Sequence, residues 1–182
     1  VTLTSPNGGE TLNGDTITVS WTASDADGDT LHFVVQYSDD NGATWTVVAP
    51  DVVGSSVVLP AVNIPGSAQG RFRVWASDGL NSASDSSDAP FVVPNRIPTV
   101  QINAPAPSGT TVASGQTIFL DALAYDVESG LMPAAQVQWA SDVDGVLGQG
   151  AQLPVTLLST GLHNLTVTAN DGAGGVVSAS VP

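Results

Sequence analysis

The chain has 182 residues, with seventeen Asp or Glu against three Arg and no Lys, and a formal charge of −14. That balance excludes nucleic-acid recognition through phosphate contacts, which rest on Lys and Arg, and it disfavours an anionic membrane surface. No cysteine is present, so there is neither a disulfide framework nor a thiolate metal site, and no apolar run reaches the length of about eighteen residues that membrane insertion needs. Fifteen of the acids are Asp, a turn residue, and Val, Thr, Ser, Gly and Pro outweigh the helix formers. The composition predicts an all-β chain.

The chain opens at Val1 already in a strand-like run, which predicts a processed or excised piece of a longer protein whose targeting signal lies elsewhere. Ile17, Val19 and Trp21 then alternate with Thr16, Thr18, Ser20 and Thr22, an apolar-in, hydroxyl-out strand. Leu31, Phe33, Val35 and Tyr37 give a second strand, with Val34 predicting partial cover on the other face. Residues 44–48, 56–59 and 71–76 give three more, divided by the turn signals Asp39-Asp40-Asn41-Gly42 and Asp78-Gly79. Six or seven short strands between such turns predict a β-sandwich. The second half repeats the scheme with residues 117–124, 137–140 and 165–169. A boundary falls at Pro94-Asn95-Arg96-Ile97-Pro98, whose two prolines make a short, semi-rigid joint. The expected division is therefore a first domain at 1–94, a linker at 95–98 and a second domain at 99–182.

Acidic loops mark the repeat. Asp25-Ala26-Asp27-Gly28-Asp29 is partnered by Ala76-Ser77-Asp78-Gly79, and Asp126-Val127-Glu128-Ser129-Gly130 by Ala169-Asn170-Asp171-Gly172. In a sandwich of the immunoglobulin type these loops leave the same end, bringing Asp25, Asp27 and Asp29 towards Asp78, and Asp126 and Glu128 towards Asp171. Two readings stand side by side. The carboxylates hold calcium, which takes six to eight oxygens from flexible loops, or they cap their own turns through backbone N–H groups. Neither loop has the twelve-residue EF-hand pattern. Calcium at the module ends would stiffen a string of modules. The turn Ser141-Asp142-Val143-Asp144-Gly145 reads as a tight loop alone.

The residues also carry a resemblance. Ser5-Pro6-Asn7-Gly8-Gly9-Glu10, Ser20-Trp21-Thr22-Ala23-Ser24-Asp25 and Tyr37-Ser38-Asp39-Asp40-Asn41-Gly42-Ala43-Thr44-Trp45 resemble bacterial fibronectin-type-III-like repeats. Asp126-Val127-Glu128-Ser129-Gly130, Trp139-Ala140-Ser141-Asp142 and Gly161-Leu162-His163-Asn164-Leu165-Thr166-Val167 are similar to PKD and related bacterial immunoglobulin-like modules. The resemblance implies two tandem immunoglobulin-like β-sandwich domains in an extracellular setting, secreted or at the cell surface. It says little about activity, because such modules accompany many functions.

Trp21 and Trp139 fall on inward parities and read as core anchors. Trp45 and Trp75 read as cover for a sheet face, or as an aromatic platform for a polysaccharide. The two histidines, His32 and His163, form neither a zinc site nor a nucleophile–base pair at this spacing, and no G-x-S-x-G or H-E-x-x-H motif is present. The expectation is a non-catalytic spacer whose partners are the adjacent domains of a longer chain. Alternatives are self-assembly through exposed strand edges into a filament or layer, and a carbohydrate-binding accessory module.

Overall fold

A computed structural model describes residues 1–106, 109–156 and 158–182. They fold as two compact units, Val1–Pro94 and Asn95–Pro182. In the first unit the strands are β1 (Thr2–Ser5), β2 (Thr16–Thr22), β3 (His32–Ser38), β4 (Thr46–Val52), β5 (Ser56–Pro60), β6 (Ser67–Ser77), β7 (Ser82–Ser86) and β8 (Phe91–Val93). One sheet runs β1-β2-β5 and the other β4-β3-β6-β7, with β8 paired to the first half of β6.

Alternation decides what is inside. Ile17, Val19 and Trp21 of β2 are buried, and Phe33, Val35 and Tyr37 of β3 meet Phe72, Val74 and Ala76 of β6 in the same core. Trp21 tilts against Phe33 at 5.1 Å between ring centroids, and Phe72 lies 5.3 Å from Tyr37 and 5.2 Å from Phe91. The Tyr37 hydroxyl donates to the Pro65 carbonyl at 2.9 Å, so this phenol is buried with its polar tip satisfied. Strand β4 begins at Thr46 and not at the expected residue 44, because Asp40 holds Thr44 in the preceding turn. The Thr44 N–H and hydroxyl both donate to that carboxylate, at 2.8 and 2.6 Å. Strand β6 begins earlier, since its first residues find hydrogen-bond partners in β8.

Gly70 is fixed by this packing. A methyl group there would stand 2.7 Å from Cε2 of the buried Phe91 ring and 3.2 Å from its carbonyl oxygen. Gly70→Ala is therefore expected to destabilise the first unit by about 1–3 kcal/mol, the usual cost of overpacking. Residue-resolved denaturant unfolding checks this, with the midpoint lowered and the slope unchanged.

The second unit comprises β9 (Thr99–Ala104), β10 (Ile118–Asp126), β11 (Gly130–Leu131), β12 (Val137–Ser141), β13 (Gly145–Gln149), β14 (Gln152–Val155), β15 (Leu165–Asn170) and β16 (Val176–Val181). Its sheets are β11-β10-β14, with β9 also on β10, and β13-β12-β15-β16. Leu120, Ala122 and Ala124 of β10 share a core with Val137 and Trp139 of β12 and Leu165, Val167 and Ala169 of β15. The other parity of β10 leaves Phe119, Leu123 and Tyr125 exposed on the outer face, with Leu131 of β11 exposed opposite Tyr125. No helix among the described residues is long and apolar enough to cross a membrane.

Candidate functional site

The acidic corner between β2 and β3 is closed by its own backbone. Asp25 Oδ1 accepts the N–H groups of Asp27 and Asp29, at 2.9 and 3.0 Å, while Asp27 and Asp29 remain exposed. In the β6–β7 turn, Asp78 Oδ1 accepts the N–H groups of Asn81 and Leu80, at 2.6 and 2.7 Å, and Oδ2 accepts the Asn81 amide at 3.1 Å. Those bonds, the Asn81 N–H foremost, hold the Asp78 carboxyl below the ordinary aspartate value. The expected gathering of Asp25, Asp27, Asp29 and Asp78 gives way to two separately capped loops. Among the described residues, no three carboxylate or imidazole side chains stand together as ready metal ligands.

Asp40 shows the same chemistry most strongly. The Thr44 hydroxyl, then the Thr44 N–H and the Ser38 hydroxyl, lower its pKa from 3.8 to about 2. The folded value lies below the unfolded one, so this stabilisation is complete above about pH 4 and is lost as pH falls towards 2. Asp40→Ala is expected to flatten that acid limb. Thermal midpoints of the first unit measured between about pH 5 and pH 2 should fall less in the variant than in the wild type.

In the second unit, Asp126 Oδ1 accepts the N–H groups of Glu128 and Ser129 and the Ser129 hydroxyl, at 3.0, 2.9 and 3.0 Å. The Asp126 side chain is buried, and its Oδ2 has no hydrogen-bond partner among the described residues. The segment leading into β9 reaches both corners. The Arg96 N–H donates to Glu128 Oε1 at 2.9 Å, and the Asn95 amide donates to Asp171 Oδ2 at 2.8 Å. Asp171 Oδ1 in turn accepts the N–H groups of Ala173 and Gly175, at 2.7 and 2.9 Å. Its pKa is lowered, chiefly by Asn95.

Both histidines are held by local hydrogen bonds. His163 Nδ1 accepts the Ser141 hydroxyl at 2.9 Å, and Nε2–H donates to the Ser159 carbonyl at 2.8 Å. Ser141 Oγ is buried and also accepts the N–H groups of Val143 and Asp144, so it closes a turn and offers no nucleophile to solvent. Asp142 caps Asn164 across the same corner, and Asp144 accepts both donors of Ser159. His32 is exposed, with Nδ1 2.6 Å from Asp51 Oδ1.

Trp45 and Trp75 meet through a residue that the sequence reading passed over. Strand β6 places Arg71, Arg73 and Trp75 on one outward face, and Trp45 reaches over from the turn before β4. The Arg73 guanidinium carbon lies 4.2 Å from the Trp45 ring centroid and 5.4 Å from that of Trp75. Gln36 Oε1 accepts both Arg73 Nε–H and Trp75 Nε1–H, at 2.9 and 3.0 Å. The two indoles cover the outer sheet face together with Arg73, an arrangement of cation over π face. Arg73 and Gln36 sit on neighbouring strands, and only their register, which pairs the two residues directly, brings them together.

In each unit two antiparallel sheets enclose one apolar core, and the chain is a tandem pair of immunoglobulin-like β-sandwich modules. Residues 1–56 match the family model of the bacterial Ig domain. Among solved structures, the chain is similar to the fibronectin(III)-like modules of Clostridium thermocellum CbhA, at 19% identity and a TM-score of 0.40, covering 98% of this chain and 90% of that one. It is also similar to the N-terminal four Ig domains of Dscam1 isoform 6.9, at 11% identity and a TM-score of 0.46, over 98% of this chain and 44% of that one. Isoform 1.9 of Dscam1 matches at 13% identity and a TM-score of 0.42, with the same two coverages of 98% and 44%. The chain thus spans less than half the length of the Dscam1 structures. No curated protein matches the sequence.

Proposed function

We propose that the two modules are non-catalytic structural or adhesive units of a secreted or cell-surface protein, where they space and present neighbouring parts of a longer chain. The observation that carries this reading is the use made of the reactive side chains. Asp25, Asp40, Asp78, Asp126 and Asp171 accept backbone N–H groups of their own turns, and Ser141 with His163 forms a clasp at a corner. Residues matching the bacterial Ig domain support the extracellular setting. Antibodies raised against the chain should label intact source cells or their medium, and the purified chain should turn over no ester, peptide or glycoside substrate. Labelling confined to permeabilised cells, or turnover of any such substrate, would contradict the reading.

Calcium is the finer part of this proposal, and the two acidic corners differ in their fit to it. Asp25, Asp27, Asp29 and Asp78 are accounted for by capping and exposure. The second corner carries a feature that a cation would answer, the buried Asp126 Oδ2, which has no hydrogen-bond partner among the described residues. Asp126, Glu128 and Asp171 do not stand together as ready ligands, so an ion anchored on Asp126 would have to draw Glu128 and Asp171 from their bonds to the Arg96 N–H and the Asn95 amide. Calcium would then add stability to a corner that already folds by capping.

A second reading is favoured by the outer face of β10. Phe119 and Leu131 are 70% and 71% exposed, and with Leu123 and Tyr125 they form an apolar strip that a second copy of the chain would cover in a filament or layer. Light scattering over a concentration series tests it. Association that Phe119→Ser weakens supports assembly, and a strict monomer removes it.

A further inference from the structure

Two of the three basic residues of this strongly acidic chain, Arg71 and Arg73, stand two positions apart on the outer face of β6. Among the described residues neither has a carboxylate within ion-pair distance. Arg71 donates Nε–H to Asn41 Oδ1 and an Nη1–H to the Ser87 carbonyl, both at 2.7 Å. Arg73 donates Nε–H to Gln36. The Nη2 group of Arg71 and both Nη groups of Arg73 therefore have no acceptor among the described residues.

The pair borders a groove of about 420 Å³ whose walls include Trp45, Ser84 and Ser86. Asp85 also touches the groove. It lies on the opposite parity of β7, and its Oδ2 accepts the Leu3 N–H at 2.7 Å, which turns the carboxylate towards the inter-sheet edge. The two guanidinium groups are the positive charges at the groove, set against this one carboxylate. Stacking on Trp45 and the bond to Gln36 fix the Arg73 guanidinium in place without neutralising it. Trp75 presents a 38% exposed indole beside it.

A fixed planar fork of N–H donors matches a carboxylate, and an adjacent indole matches the C–H face of a sugar ring. We propose that this groove binds a carboxylated sugar, a uronic-acid unit within an acidic polysaccharide. Asp40, one residue before Asn41, lies close to the groove with its carboxylate turned onto Thr44, while Asp residues farther off are screened at physiological salt over about 8 Å, so a short uronate stretch suits the arginine pair better than a long polyanion. The site goes beyond the spacer role, which stands whether or not the groove is occupied.

The test titrates trigalacturonate into the full chain at about 0.15 M salt, following the indole N–H signals of Trp45 and Trp75 by NMR with cellotriose as the neutral control. Saturable shifts are expected with trigalacturonate and none with cellotriose. Arg71→Gln and Arg73→Gln should each weaken binding by about tenfold or more, as loss of a charge-assisted bond predicts. The backbone spectrum of each variant verifies its fold, and Arg71→Gln leaves the Trp45–Arg73–Trp75 stack in place. Absence of shifts at about 10 mM trigalacturonate, an equal response to cellotriose, or unweakened binding by folded Arg71→Gln would overturn the proposal. Self-association of the wild type that Arg71→Gln abolishes would assign the groove to an acidic loop of a second copy, and would overturn it as well.

Discussion

Trp139→Ala is expected to lower the stability of the second unit by about 3–5 kcal/mol, whereas Trp139→Phe should cost less than about 1.5 kcal/mol. Trp139 is fully buried at the middle of β12, opposite Gly148 of β13 and Val167 of β15. The facing strand β10 contributes small residues, Ala122 and Ala124, to the same core, and the large indole fills the space they leave. Truncation to Ala opens a cavity that rigid strands on both sides cannot close. A unit of this size has a total stability of roughly 4–13 kcal/mol, so the Ala variant loses a large part of it. The Phe variant differs because the Trp139 Nε1–H is buried with no hydrogen-bond partner among the described residues. Replacing the indole by a phenyl ring removes an unsatisfied donor, and this offsets the lost volume. Denaturant unfolding followed through the Val167 amide reads the second unit by itself. A Phe variant as unstable as the Ala variant would show that the lost packing outweighs removal of the unsatisfied donor.

The core was largely legible because strand burial follows a two-residue period. Ile17, Val19 and Trp21 could be assigned inward from their neighbours alone, and the opposite parity of Trp75 from Phe72 and Val74 correctly put it outside. Capping was legible for a similar reason, since an Asp carboxylate reaches N–H groups two to four residues ahead, as Asp25 does to Asp27 and Asp29. What sequence could not supply was contact across strands and between distant segments. Arg73 meets Gln36 only through the β3–β6 register, 37 residues apart, and Asn95 meets Asp171 across 76 residues. The contact of His163 with Ser141, 22 residues apart, likewise depends on how two turns pack together. The immunoglobulin-type topology predicts the acidic loops at one end of each sandwich. Whether their carboxylates converge depends on loop backbone detail, and there the short local bonds to N–H groups compete with any gathering around an ion.

Asp126 is where capping and metal binding make different claims, and Asp126→Ala and Asp126→Asn separate them. Asp126→Ala is expected to destabilise the second unit by about 2–4 kcal/mol with or without calcium. It removes an acceptor shared by two backbone N–H groups and the Ser129 hydroxyl in a corner largely closed to water. The estimate stays below the sum of three bonds because the loop can relax and because the unpartnered Oδ2 disappears with the side chain. Asp126→Asn keeps the amide oxygen in the capping position, so in EDTA it should melt close to the wild type. In calcium the two proteins part company. An ion bound with the weak affinity usual in extracellular modules would stabilise the wild type by about 1.4–2.7 kcal/mol at about 10 mM calcium. The Asn variant, lacking the buried charge, should show little of that gain. Equal melting of the wild type in EDTA and calcium would remove the ion from this corner, leaving Asp126 as a cap whose second oxygen is buried without a partner. Equal calcium stabilisation of both proteins would move the ion away from Asp126. If Asp126→Ala melts like the wild type in EDTA, the bonds of Asp126 Oδ1 to Glu128 and Ser129 do not stabilise this corner, and capping there is refuted.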